Sequence, residues 1–382
     1  MVAPAPGFGA TQRGTTVIMR LSPTFSLYLG RQFLLGIGFV LAVLMGLIFL
    51  IDVVELLRRA AGREAAGLGL ILGMAALNLP SLVQKVLPVA TLFGAIVTFS
   101  RLTRSSELIV ARAAGVSVWQ FLAPALVVAF LGGGIMVTLF NPLAAIMSAR
   151  YEQLEGRFLE GRQSLLAVSA TGLWLRQADE FGQSVIHARH VTSAGTELRD
   201  VIVFLYKGTD QFIGRIDAKQ AMLLKGRWRL TNALLTRPQE PAIRLAEYEI
   251  KTTLTVAQIQ EGFASPQTLS FWSLPGFIRT LETAGFTATR HRLHWHRILS
   301  TPLLLAAMIL LAATFSLRLT RYGHTGILLG AGVLTGFLLY FVTDVVQALG
   351  IAGNLPVILA AWTPAGVCAL LGLSLLLHLE DG

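Results

Sequence analysis

Long stretches of the chain carry no Asp, Glu, Lys or Arg, among them 32–51, 65–84, 86–100, 113–149, 298–317, 322–343 and 345–379. A helix needs about 20 mainly apolar residues to cross the hydrocarbon of a bilayer. Runs of this length predict six spans, near 29–52, 80–100, 117–141, 297–317, 324–346 and 355–378. Residues 65–100 are the difficult part. As one helix they would rise about 52 Å, too far for one untilted span. Pro80 and Pro88 each remove a helical hydrogen bond. The expectation is therefore a break, with 65–79 as a lead-in helix, span 2 over 80–100 and Lys85 snorkelling to the interface.

The composition agrees. Only 14% of the 382 residues are charged, against about 25% in soluble domains. The net charge of +10 is almost all arginine, with five lysines: Lys85, Lys207, Lys219, Lys225 and Lys251. Nucleic-acid binders gather such charge on one face of a soluble domain. Here it stands at the ends of apolar runs, so it reads as membrane topology and no nucleic acid is expected. Cys368 is the single cysteine, which excludes an intrachain disulfide and a cysteine-based metal cluster. Residues 1–23 are rich in Pro, Gly and Thr and lack the apolar core of a signal peptide. They read as a disordered extension, with Met19 as an alternative start.

Between spans 3 and 4 the pattern changes. From Gly172 onward it runs in short strands, "GLWLRQ", "QSVIHARHV", "LRDVIVFLYKG", "QFIGRIDAKQAMLL", "GRWRLTNALLTR" and "AIRLAEYEIKTTLT", separated by turns such as "YKGTDQ". This spacing predicts an antiparallel sandwich or open barrel. Residues 273–296 return to helical periodicity, with Leu274, Phe277, Ile278 and Leu281 on one stripe, and read as an amphipathic helix leading into span 4. The domain plan is an extension (1–23), spans 1–3 (24–145) with a short inner helix near 103–115, a β domain (146–272), and the lead-in helix with spans 4–6 (273–382).

Charge asymmetry orients the plan. Arg13, Arg20, Arg31, Arg101, Arg104, Arg112, Arg318 and Arg321 fall on one side; Arg58, Arg59, Arg63 and Lys85 fall on the short segments opposite. The positive-inside rule puts the termini in the cytoplasm and the β domain outside. Arg58, Arg59 and Arg63 then stand at the outer mouth of span 1. Two readings stay open for them: pairing with Asp52, Glu55 and Glu64, or anchoring an anionic ligand.

Several chemistries are excluded. No lysine follows a glycine, so the chain lacks the Gly-Lys-Ser/Thr of a nucleotide-binding P-loop. Asp344 is the one acid inside a late span and lies near its outer end. His291, His294 and His296 in "HRLHWHR" do not share a helix face, and nearby arginines oppose a cation. They read as an interfacial belt, and no metal is expected.

The stretch "RLTRSSELIVARAAGVS", 101–117, interrupts two apolar runs. Ser105 or Ser106 can cap a short helix, Glu107 suits its first turn and Gly115 can end it. It is either a plain positive-inside connector or a coupling helix offering a charged residue and an apolar face to a cytoplasmic motor.

From about residue 24 onward the chain resembles the LptF/LptG permease family. The resemblance is carried by "FLIDVVELLRRAAG", "SELIVARAAGVS", "GLW", "GRWRL", "FVTDVVQALG" and "LPVILAAWTPA", and by the order of three spans, β domain, three spans. The features at spans 1 and 5 and "GLW" look more like LptG than LptF. The resemblance implies an α-helical membrane protein with six transmembrane helices and a β-jellyroll-like periplasmic domain. It implies an inner-membrane permease that extracts lipopolysaccharide, with a homologous LptF-like subunit, an LptB-like ATPase dimer carrying ATP and Mg, and periplasmic LptC/LptA-like β proteins. No cofactor is implied in this chain. Glu107 matches the family's coupling glutamate, flanked by Arg104 and Arg112. Arg58 and Arg59 match a basic pair near the lipid entrance, and Arg150 and Arg157 lie near further basic ligands. Relatives can carry a Lys shortly before the span-1 Asp, where this chain has Phe49. The rival readings are a membrane-anchored β-domain scaffold or sensor, and a permease for a non-lipid substrate.

Overall fold

The structure is a computed structural model, described here over residues 23–61, 67–160, 165–169, 172–179, 182–191, 197–207, 211–252, 265–283, 287–319 and 325–380. Residues 1–22 of the expected N-terminal extension, Arg63, Glu64 and Arg321 lie outside the described residues, while Pro23 opens α1. Among the described residues, six helices are long and apolar enough to cross a membrane. In chain order these are α1 (Pro23–Ala60), α2 (Leu68–Arg104), α4 (Val118–Ile135) continued by α5 (Asn141–Glu155), α7 (Thr289–Leu319), α8 (Thr325–Ile351) and α9 (Val357–Glu380). The short α3 (Glu107–Ala113) joins α2 to α4, and α6 (Leu274–Thr283) precedes α7.

The prolines do not break span 2. α2 runs 37 residues through Pro80 and Pro88. A proline costs an exposed helix about 3 kcal/mol, but membrane helices tolerate it where neighbours pack against them. α2 packs between α1 and α7. Two glycines set how closely helices approach. A Cβ on Gly94 would fall 2.5 Å from the Ile37 Cα, and one on Gly133 would fall 2.5 Å from the Pro302 Cα. Small residues at such crossings are how membrane helices gain packing without a hydrophobic driving force. α7 lies at the centre, with Ala306, Ala307, Met308, Ile309, Ala312 and Ala313 all buried.

Span 3 also runs further than the sequence predicts. α4 passes through a π-helical turn, Met136–Phe140, into α5, and a second π-helical turn, Gly156–Glu160, follows. The boundary expected at residue 146 is therefore helical, and strands begin at Leu165. The residues explain this: 143–155 are mostly Leu, Ala, Met, Arg and Glu, all good helix formers. Pro142 has no N–H to offer the carbonyl of Thr138, four residues back. The Trp272 indole N–H takes that carbonyl instead, at 3.2 Å. Beside it the buried Asn141 side chain accepts from the Phe271 amide at 2.7 Å and donates to Gln84 Oε1 at 3.3 Å. The widened turn is thus where the segment returning from the sheet docks on the bundle.

Among the described residues the sheet has seven antiparallel strands in sequence order: β1 (Leu165–Ser169), β2 (Gly172–Asp179), β3 (Gly182–Val191), β4 (Glu197–Lys207), β5 (Gln211–Leu224), β6 (Arg227–Thr236) and β7 (Ile243–Lys251). The connectivity is a meander. It is nevertheless rolled. The Gln177 side chain on β2 donates to the Lys251 carbonyl on β7 at 3.1 Å and accepts from the Thr252 hydroxyl at 2.7 Å. Flat strands five places apart would be separated by about 24 Å. The bend is written into the ladder, which passes over one row across β3 to β7: Arg189, Asp200, Lys219, Asn232 and Ala246. Asp200 and Asn232 adopt φ of 52° and 55°, a left-handed conformation that Asp and Asn tolerate best after glycine and that bulges use to turn a strand.

One apolar core fills the roll, built from residues such as Leu175, Ile186, Val203, Ile216, Trp228 and Leu230. The expected amphipathic helix over 273–296 is in fact two pieces. α6 supplies Ile278 and Leu281 to the sheet's core, while α7 starts at Thr289 and carries the remainder into span 4.

Candidate functional site

The two ends of α1 mark the two ends of the bundle. At its start, the Tyr28 hydroxyl donates to Glu107 Oε1 at 3.4 Å. Near its end, Arg59 Nη1 donates to Glu155 Oε1 on α5 at 3.0 Å, at the threshold of the sheet. Tyr28 and Arg59 are separated by about 46 Å of helical rise. That exceeds the roughly 30 Å of hydrocarbon. α3 and the β domain therefore stand on opposite sides of any membrane these helices cross.

α3 has a defined shape. Leu108 and Ala111 are buried against the bundle, while Ile109 and Val110 are exposed. Its C-terminus is a Schellman motif: Val116 N–H bonds the Ala111 carbonyl, Gly115 N–H bonds that of Arg112, and Gly115 takes φ +85°. This is the geometry a C′ glycine permits. The N-terminus differs from the expectation. Ser106 occupies the cap position but has φ +63° and makes no side-chain cap, because capping needs extended backbone there. The Ser105 hydroxyl instead reaches Glu107 Oε1 at 2.9 Å. Glu107 is half-buried, and Arg104 and Arg112 are exposed in the last turns of α2 and α3. Cations there suit the negative helix ends.

At the far end, Arg58 and Arg59 pair with acids, as one of the two sequence readings has it. Arg58 grips Glu55 through Nε and Nη2, both at 2.8 Å, and Arg59 Nε reaches Glu55 at 2.9 Å. Asp52 is not their partner: the Asn78 amide donates to both of its oxygens at 3.2 Å. The two guanidiniums remain open to their surroundings, with 74% and 50% of their side chains exposed. Arg150 and Arg157 are exposed along α5 and the turn after it, and Arg157 lies over the Phe158 ring at 5.4 Å. Glu155 and Tyr151, which complete the Arg59 contact, were not anticipated. Nothing in the sequence pairs residues 59 and 155.

A second feature missed by sequence reading is a groove of about 290 Å³ between α2, α7, α8 and α9. Lys85, Arg297 and Asp344 all line it. Arg297 Nη1 donates to Gln347 Oε1 at 3.2 Å. Lys85, expected to snorkel to the interface, shares a polar groove with two charged residues of other helices.

These features define a multi-pass membrane protein with a rolled β-sheet domain between its third and fourth spans and a shaped connector on the opposite face. The chain belongs to the lipopolysaccharide export system permease LptF/LptG family, whose model matches residues 27–378. It is similar to the lipopolysaccharide export system permease protein LptG of Haemophilus influenzae, 23% identical over 90% of this chain and 95% of that protein. It is likewise similar to LptG of Escherichia coli, 24% identical over 92% of this chain and 97% of that protein.

Proposed function

We propose that the chain acts as the LptG-like half of the exporter, withdrawing lipopolysaccharide from the inner membrane for transfer along periplasmic β proteins. The observation that supports this most is the fixed carboxylate of Glu107, held by Tyr28 and Ser105 on the face opposite the sheet. A cytoplasmic ATPase dimer, carrying ATP and Mg, would dock on α3 through Glu107, the exposed Ile109 and Val110, and the flanking Arg104 and Arg112. The basic asymmetry of the sequence supports placing α3 in the cytoplasm and the sheet in the periplasm. A homologous LptF-like subunit would complete the cavity.

On the periplasmic side, Arg58 and Arg59 would exchange their contacts with Glu55 for lipid phosphates. The planar guanidinium forks match phosphate oxygens. Arg150 and Arg157 are exposed on the neighbouring helix and would extend this basic surface. The edge of the rolled sheet offers main-chain groups to a β partner. The test is reconstitution of the full permease pair with its ATPase, following ATP-dependent release of lipopolysaccharide to the periplasmic acceptor. A chain that assembles without the ATPase, or releases lipid without it, would refute the reading.

A further inference from the structure

The groove between α2, α7, α8 and α9 holds three charges from three helices. Arg297 immediately precedes the uncharged run 298–317, and Asp344 immediately follows 322–343. The helical residues of these runs, 298–317 of α7 and 325–343 of α8, rise about 30 and 28 Å, the thickness of the hydrocarbon. Their charged ends therefore mark the boundary with the headgroups, on the same side as the sheet. Lys85 on α2 faces them across the groove. Lys85 and Asp344 are exposed, and neither makes a hydrogen bond or ion pair with another described residue. Arg297 commits one donor to Gln347, out of the five a guanidinium has. Charges at this boundary stand level with the lipid headgroups, whose own phosphates and amines are the groups available to meet them.

The wall chemistry defines what can meet them. Two cations require an anionic oxygen group, and one acid requires a donor of positive charge. Thr301, Thr343 and Tyr340 add hydroxyls. Inward from Asp344 along the same face of α8, Phe341 and Phe337 are exposed and stacked, with centroids 6.5 Å apart and planes at 15°. They form an apolar track one and two turns towards the membrane centre. The volume lies at the lower edge of the roughly 300–1,000 Å³ typical of small-molecule sites.

We propose that this groove binds the headgroup of a phosphoethanolamine phospholipid. The phosphodiester sits between Lys85 and Arg297, the ammonium is paired with Asp344, and an acyl chain lies along Phe341 and Phe337. A choline headgroup has no N–H for Asp344. A serine headgroup adds a carboxylate that Asp344 repels. A glycerol headgroup brings no cation of its own to Asp344. The site is separate from the Arg58 and Arg59 pair at the end of α1, and it depends on membrane residence rather than on the export reading.

The experiment uses the full chain in its membrane complex, purified in detergent and offered equimolar dioleoyl-phosphatidylethanolamine and dioleoyl-phosphatidylglycerol. Retained lipid is read by native mass spectrometry. The wild type is expected to keep the ethanolamine lipid in preference to the glycerol lipid. Asp344→Asn should erase that preference while still holding lipid. Lys85→Gln should lower retention of both by about tenfold, the loss of one charge-assisted contact. Inorganic phosphate and lipopolysaccharide serve as competitors. Retention unchanged in Lys85→Gln, or a preference unchanged in Asp344→Asn, would overturn the proposal. So would displacement by inorganic phosphate alone, which would make this a simple anion site, or by stoichiometric lipopolysaccharide, which would make it part of the export path. Normal export alongside lost retention in Lys85→Gln separates this site from the transport function.

Discussion

Tyr28 and Glu107, 79 residues apart, meet at 3.4 Å, joining the first turns of α1 to the first residue of α3. The contact places the connector's carboxylate against the helix whose far end meets Glu155 on α5. Glu107→Ala is expected to leave folding intact, because the buried anchors of α3 are Leu108 and Ala111. It should weaken ATPase association by more than about tenfold, since a hydrogen bond to a charged group contributes roughly 1.5–3 kcal/mol. Tyr28→Phe should give a smaller loss. Co-purification with the ATPase and ATP-driven lipid release measure both, and normal values in Glu107→Ala would reduce α3 to a plain connector.

Arg58→Glu with Arg59→Glu reverses two exposed charges beside Glu55. Lipopolysaccharide crosslinking and export are expected to fall while the complex still assembles, because exposed ion pairs contribute little to stability. Crosslinking equal to wild type would assign the pair to its contacts with Glu55 and Glu155 alone.

Sidedness has a direct test. A cysteine at Gly208 should react with an impermeant maleimide added to the periplasm, and one at Arg104 should react only after the inner membrane is opened. The opposite pattern would invert the topology.

The π-helical turn carries a thermodynamic signature. Trp272→Phe removes the donor that satisfies the Thr138 carbonyl and should cost about 0.5–1.5 kcal/mol. Pro142→Ala restores a backbone N–H to that carbonyl. In the Pro142→Ala background the cost of Trp272→Phe should therefore shrink, a coupling that a double-mutant cycle of thermal unfolding in detergent reads directly. Additive effects would show that the indole and the proline are unrelated.

The spans were legible because hydrocarbon demands long uncharged runs, and the strands because their alternation is strong. What escaped depends on neighbours. Pro80 and Pro88 announce a break locally, yet packing on α1 and α7 carries α2 through them. Residues 146–160 look like a domain boundary because charge reappears there, although their helix propensity is high. At the candidate site, Glu107, Arg58 and Arg59 stand out in the sequence by motif and charge. Their partners Tyr28 and Glu155 could not, since each contact joins helices whose relative rotation the sequence does not display. The groove of Lys85, Arg297 and Asp344 was hidden for the same reason: its three charges come from three helices.

α1 is tied at both ends, to Glu107 near its start and to Glu155 near its finish. A rigid helix so tied would act as a lever. With an arm of about 46 Å, a pivot of about 6° at Tyr28 sweeps Arg59 through about 5 Å. A push on α3 too small to register as a domain motion on one face of the membrane would then become, on the other, a displacement large enough to break a guanidinium's grip on an anion and form it again with the next.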